Sequence, residues 1–240
     1  MGTGRVVRFL LTLAACTAAP LVFAQDAAPN LNGYATLSTG YWKRGFAQNN
    51  HASAQLGVDF EHHTGFYVGG WAANVDFEQE YRQDEPRRVE ADIYAGYHKR
   101  REQWSWNVGL GHYLYPGTAV NYDYDELSAT FGFRDRLFYT AAYSDAYYGR
   151  WASLNQEISF TYPLRGNVEI GAGLGNFKVK GGVLDVTYWN VGVSKLVRRV
   201  AFDVRYYDSN NRWLSYWGDP NRNPFVLSVS YALGSRRPKI

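Results

Sequence analysis

Across residues 52–61 apolar and polar side chains alternate without a break. Ala52, Ala54, Leu56, Val58 and Phe60 fall on one side, and Ser53, Gln55, Gly57, Asp59 and Glu61 on the other. A strand's period of two sorts residues in this way, whereas a helical period of 3.6 would scatter both sets around the axis. His62-His63-Thr64-Gly65 interrupts, short and carrying glycine for a positive φ. Residues 66–77 then return with Tyr67, Trp71, Ala73, Val75 and Phe77 on one face. The expectation is a long antiparallel hairpin whose apolar side includes Tyr67 and Trp71.

The same device fills the chain. An earlier strand is expected over 34–44, with Ala35, Leu37, Thr39 and Tyr41 on one face, followed by a polar loop at 46–51. After a solvated loop at 78–88, Val89, Ala91, Ile93, Ala95 and Tyr97 alternate with Glu90, Asp92, Tyr94, Gly96 and His98. Trp104, Trp106, Val108 and Leu110 follow beyond a charged turn, and Leu127, Ala129, Phe131 and Phe133 mark the apolar face of 122–133. Further alternating stretches cover 137–144, 154–162, 168–175, 183–196, 200–207 and 225–233. That makes twelve strands of about ten residues, the length a tilted strand needs to cross a membrane. The connections at His62, Arg100, Arg134, Pro163 and Val197 are short; those at Phe46, Glu78, Leu114, Tyr147, Asn176 and Asp208 are longer. An even strand count with short turns at the end holding both termini is the pattern of an outer-membrane barrel.

The first 24 residues stand apart. Arg5 and Arg8 precede an apolar run from Phe9 to Val22, and Val22-Phe23-Ala24 is a small-x-small cleavage signal, as in a secretory signal peptide. An alternative is lipidation at Cys16, after Leu13-Ala14-Ala15. The expected organisation is a signal peptide, 1–24, and one barrel domain, 25–240. The mature chain has no cysteine, which excludes disulfides and thiol chemistry. Two of the 25 Lys and Arg lie in the leader, so 23 bases face 22 acids, and the formal charge of +1 argues against a nucleic-acid partner. No mature apolar run approaches the roughly 20 residues of a transmembrane helix, so any membrane crossing is by a β-barrel.

A soluble barrel also alternates, but its polar face meets bulk water and should carry many Lys and Glu. Here all six lysines, Lys43 among them, read as loops, tails or strand ends. The polar faces use Gly, Ser, Thr, Asn, Tyr and some acids, which suits a confined wet interior. Trp71, Trp104, Trp106 and Trp189 sit where an interfacial girdle would use them. The expected fold class is therefore all-β, a transmembrane antiparallel up-and-down β-barrel of about twelve strands in the bacterial outer membrane. Its expected partners are outer-membrane lipids, lipopolysaccharide, the outer-membrane assembly machinery and small polar solutes.

Several motifs carry a resemblance. They are Tyr41-Trp42-Lys43-Arg44-Gly45, Ala54-Gln55-Leu56-Gly57-Val58-Asp59, Gly65-Phe66-Tyr67-Val68-Gly69, the run from Glu90 to Tyr97, Tyr113-Leu114-Tyr115-Pro116-Gly117, Tyr122 to Leu127, and Tyr188 to Val193. Together they span the mature chain, which resembles the Gcw_chp family, also known as the TorF family of porin-like proteins. The resemblance implies an outer-membrane barrel and a solute channel, with no established substrate. One departure is the end, which continues past Leu233 with Gly-Ser-Arg-Arg-Pro-Lys-Ile and lacks the terminal aromatic of many outer-membrane barrels.

By parity the inward set includes Asp59, Glu61, Glu90, Asp92, Glu126, Glu157, Glu169 and Asp203, with Arg44 and Arg205 as the main bases. Enclosed charges are costly unless paired or hydrated. Two readings stand: a wet, acidic lumen favouring cations and neutral polar solutes, or a network in which Arg44 and Arg205 knit the acids and close the barrel. Arg44, beside Gly45, fits a folding or network role better than direct solute contact. The expected function is a porin-like channel without cofactor or metal. A non-conducting or adhesive barrel, using the loops at 78–88 and 208–223, is the alternative. A Ser-His lipid hydrolase centred on His112 is a further one, although no serine is plainly paired with it. His51, His62 and His63 lack zinc-ligand spacing, and no glycine-rich phosphate loop is present.

Overall fold

The computed structural model describes residues 30–75, 88–118, 121–182, 184–210 and 223–234. The signal segment, Phe77 and most of the loops at 78–88 and 208–223 lie outside them. In chain order the strands are β1 (Asn30–Ser38), β2 (Tyr41–Lys43), β3 (Phe46–Asn49), β4 (Ser53–Glu61), β5 (Phe66–Val75), β6 (Arg88–Arg101) and β7 (Trp104–Leu114). They continue with β8 (Tyr124–Phe133), β9 (Leu137–Tyr147), β10 (Trp151–Pro163), β11 (Val168–Val179), β12 (Leu184–Val197), β13 (Val200–Ser209) and β14 (Phe225–Gly234).

Among the described residues, β1 and β4–β14 close a twelve-stranded antiparallel barrel, with β1 bonded to both β14 and β4. Closure leaves no sheet edge and satisfies every ladder inside the wall, the condition for a sheet in hydrocarbon. Solvent exposure is inside out. Leu37, Phe66, Leu110 and Leu174 are exposed on the outer surface while Glu90, Glu126, Asp203 and Arg205 are buried within. Such an exterior demands a bilayer, and the protein is a transmembrane barrel of the outer-membrane type.

This orientation makes a prediction. Val191 lies on the outer face midway along β12. An arginine there is expected to destabilise the barrel by about 2–4 kcal/mol in vesicles, the cost of a cation near the bilayer midplane. Urea unfolding followed by tryptophan fluorescence measures it; a cost below 1 kcal/mol would place β12 the other way round.

Two expectations about strands are corrected. The first strand ends at Ser38, not at residue 44, and the segment read as strand end and polar loop becomes a separate hairpin, β2–β3. The other concerns β5, where Tyr67, Trp71, Ala73 and Val75 point inward and Phe66 and Val68 outward. Both faces of β5 are apolar, so hydrophobicity does not choose between them; pairing does. Cross-strand partners share a face, and the β4 register sets Tyr67 opposite Glu61 and Trp71 opposite Gly57. Trp71 is therefore a lumen residue and not part of a girdle. Two connections expected to be long are also short, because β9 and β10 leave three residues between them and β11 and β12 leave four.

Candidate functional site

Thr39 and Gly40 carry the chain off the barrel wall, and residues 41–49 fold back inside it. All nine are buried. The turn follows from two residues: Arg44 and Gly45 have φ of 52° and 84°, and Lys43 pairs with Phe46 across them. Two successive left-handed residues make the tight hairpin turn whose twist matches strands, and glycine takes the second position at no steric cost. A Cβ on Gly45 would lie 2.8 Å from Tyr188 Cβ and 3.0 Å from Ser209 Cβ, so the tip abuts the far wall. Ser209 Oγ donates to the Gly45 carbonyl at 2.9 Å.

The period of two along the hairpin sends its side chains to opposite walls. Tyr41 packs edge-on against Trp71 beside Ala73 and Val75. This packing is why β5 carries apolar residues inward. Trp42 stacks on Tyr207, with Ala47 and Val226 around it. Phe46 enters a cluster that includes Tyr113, Tyr115, Tyr124, Tyr147, Phe177 and Tyr188. These wall residues come from the strand ends farthest from the termini. In outer-membrane barrels the short turns face the periplasm, so the hairpin fills the outer half of the lumen.

Two ion pairs fix the tip. Lys43 Nζ donates to Glu90 Oε1 at 2.5 Å, and Arg44 Nη2 to Glu126 Oε1 at 2.6 Å. Glu90 also accepts from Tyr115 and Tyr41 hydroxyls at 3.0 and 3.2 Å. Lys43 Nζ stands 4.2 Å from the Tyr113 ring centre and bonds Tyr124 Oη at 3.3 Å, while the Arg44 guanidinium lies 5.3 Å from the Phe177 ring centre. Each cation lies within hydrogen-bond distance of a buried carboxylate, the pairing that an enclosed charge requires. Lys43 and Arg44 therefore stay charged in a site nearly closed to solvent.

The other expected lumen residues take several partners. Arg205 bonds Asp203 at 3.1 and 3.3 Å and Asn190 at 2.7 Å. Gly171 and Gly192 give its guanidinium room. Asp59 accepts from Tyr94 at 2.5 Å, Glu157 from Tyr188 at 2.9 Å, and Glu61 lies 2.9 Å from His98. Asp92 Oδ1 is buried without a partner, and Glu169 is half-buried near the opposite rim. Arg44, Glu90, Asp92 and Glu126 thus meet at the hairpin tip; Asp203 and Arg205 form a separate pair; Asp59 and Glu61 line the wall nearer the termini.

Sequence reasoning missed Lys43, read as a strand end, and the tyrosines at 113, 115, 124 and 188. A signal existed in the break of alternation at Ser38-Thr39-Gly40 followed by Arg44-Gly45. His112 bonds Asp125 at 2.8 Å on the outer surface, with both side chains exposed, so its partner is a carboxylate. Among the described residues no His, Cys, Asp and Glu group is arranged to hold a metal.

Comparison with known proteins agrees with the architecture. The family model described as "Bacterial protein of unknown function (Gcw_chp)" matches residues 24–228. No curated protein sequence matches the chain. Among solved structures, the KdgM porin in complex with disordered oligogalacturonate superposes with a TM-score of 0.54 at 11% identity, over 86% of this chain and 99% of that one. The KdgM porin alone gives 0.53 at 12%, with the same coverage. The COG4313 outer membrane channel from Pseudomonas putida F1 gives 0.49 at 8%, over 88% and 97%. At these identities the KdgM likeness establishes the fold.

Proposed function

The chain belongs to the Gcw_chp family of bacterial proteins, and on that premise we propose that it is an outer-membrane channel for small polar solutes and ions, cation-leaning, with β2–β3 as its constriction. The observation that carries this reading is the charge inside. Among the described residues buried in the lumen, six acids (Asp59, Glu90, Asp92, Glu126, Glu157 and Asp203) face three bases, Lys43, Arg44 and Arg205. Glu90, Glu126 and Asp203 are matched by those bases; the cation lean rests on Asp59, Asp92 and Glu157, which add negative charge where water and ions enter the confined space. The KdgM structure carries oligogalacturonate, a polyanion; this interior is suited to the opposite sign.

The seam between hairpin and wall supports displacement of the constriction. Buried polar atoms without a partner occur along it: Arg44 Nε and Nη1, Gln48 Oε1, Glu126 Oε2 and Asp92 Oδ1. The docked hairpin thus leaves part of the polar capacity of its seam unused by protein partners. A second reading, a non-conducting barrel, is favoured by the complete burial of residues 41–49.

Planar-bilayer recording separates the two. Purified protein is expected to give discrete conductance steps and a reversal potential, under a potassium chloride gradient, of the sign for cation preference. Asp59→Asn with Asp92→Asn is expected to lower the potassium-over-chloride permeability ratio roughly twofold. Anion preference, or an unchanged ratio, would remove these acids from the selectivity role, and silence would favour the closed barrel.

A further inference from the structure

The surroundings of Lys43 resemble a binding site more than a lock. Its ammonium meets one carboxylate, Glu90, at 2.5 Å, one phenol, Tyr124, at 3.3 Å, and one aromatic face, Tyr113, at 4.2 Å. The Tyr124 ring centre lies at 5.8 Å. A carboxylate combined with aromatic faces is how proteins hold alkylammonium groups, the carboxylate giving charge and the ring quadrupole a second attraction. All these groups except Lys43 belong to the barrel wall and its loop. Tyr115, bonded to Glu90 at 3.0 Å, holds the carboxylate from the wall side.

The charges do not balance at the tip. The wall offers Glu90, Asp92 and Glu126 to the two cations of the hairpin, and Asp92 stands within electrostatic reach of both Lys43 and Arg44. Its Oδ1 is buried and accepts from no donor. Beside the two ion pairs the wall therefore holds an unused acceptor at Asp92 Oδ1.

We infer that Glu90, Tyr113, Tyr115 and Tyr124 form a site for a primary alkylammonium group, filled in the resting protein by the side chain of Lys43 as a built-in ligand. A solute bearing such a group competes with Lys43 for Glu90. Its entry releases the hairpin tip, so the ligand of the site and the opening of the lumen are linked: an organic cation that binds the wall favours the undocked hairpin. Selectivity for protonated amines over quaternary ammonium follows from geometry, because the ammonium must donate to both Glu90 and Tyr124. A quaternary ammonium can meet the ring but donates to neither.

The role as a solute site rests on the channel reading, so the test measures binding without requiring conduction. Lys43→Ala, refolded in detergent and checked for barrel formation by heat-modifiable gel migration, is titrated calorimetrically with n-butylammonium, a near analogue of the missing side chain. Saturable binding with one site is expected, with affinity about tenfold or more above that of the wild type, whose site is occupied, and about tenfold or more above that of Lys43→Ala/Glu90→Gln. Tetramethylammonium and potassium at equal ionic strength are expected to bind at least tenfold more weakly. Absence of saturable binding, indifference to Glu90→Gln, or equal binding of tetramethylammonium would overturn the site. Lys43→Ser, which also leaves the space of the side chain vacant, serves if the alanine variant does not fold. A barrel that binds the amine yet never conducts would retain the site and discard the channel.

Discussion

Replacing Lys43 and Arg44 together with glutamate is expected to raise single-channel conductance several-fold. In the resting structure these two cations are the charged anchors of a hairpin that fills the outer half of the lumen, and their partners Glu90 and Glu126 sit on opposite sides of the β7 strand. Reversal turns both attractions into repulsions between enclosed like charges. Removing one partner of a buried pair costs about 3–5 kcal/mol. Even about 3 kcal/mol in total shifts the docking equilibrium by on the order of 100-fold, at about 1.4 kcal/mol per factor of ten. The barrel itself is expected to survive, because the closing ladders of β1 with β14 and β4 involve no residue of the hairpin. Heat-modifiable migration checks this in the same sample. Unchanged conductance in a folded variant would show that the barrier to ions lies elsewhere than at residues 41–49.

The second large effect concerns the wall. Arg205→Ala is expected to destabilise the barrel by about 3–5 kcal/mol, the cost of leaving a buried charge without its partner. Asp203 is 3% exposed and would retain only the Ser194 hydroxyl, at 2.7 Å, among its present side-chain donors. The alanine also opens a gap between Gly171 and Gly192, whose missing side chains now make room for the guanidinium. Adding Asp203→Asn to Arg205→Ala is expected to recover a large part of the loss, since the orphaned charge is then gone. Urea unfolding in detergent or vesicles measures all three proteins. A loss below about 1 kcal/mol for Arg205→Ala would mean that the pair is hydrated and that the lumen there is open to water.

Much of this architecture was legible because a strand advertises its faces. On β4 the apolar set Leu56, Val58 and Phe60 is exposed to lipid and the polar set Ser53, Gln55 and Asp59 is buried, as the alternation predicts. The same holds on β13, where Phe202 and Val204 face out and Asp203 and Arg205 face in. Reading failed where both faces were apolar. On β5 alternation alone points the Tyr67–Trp71 side toward lipid, and only the pairing of Tyr67 with Glu61 assigns it inward. It failed again at Lys43, because a lysine near a strand end reads as solvated by default.

The sequence alone determined the twelve-stranded membrane barrel, the faces of most strands and the pool of inward acids, because each depends on neighbours two residues apart. The tertiary structure alone decided what those acids touch. Lys43 meets Glu90 47 residues away, and Arg44 meets Glu126 82 residues away. The hairpin that brings them there turns on Arg44 and Gly45, two residues whose conformation says nothing about destination. Periodicity specifies a face, but a contact across a lumen depends on which walls closure brings opposite each other, and only the folded barrel sets that.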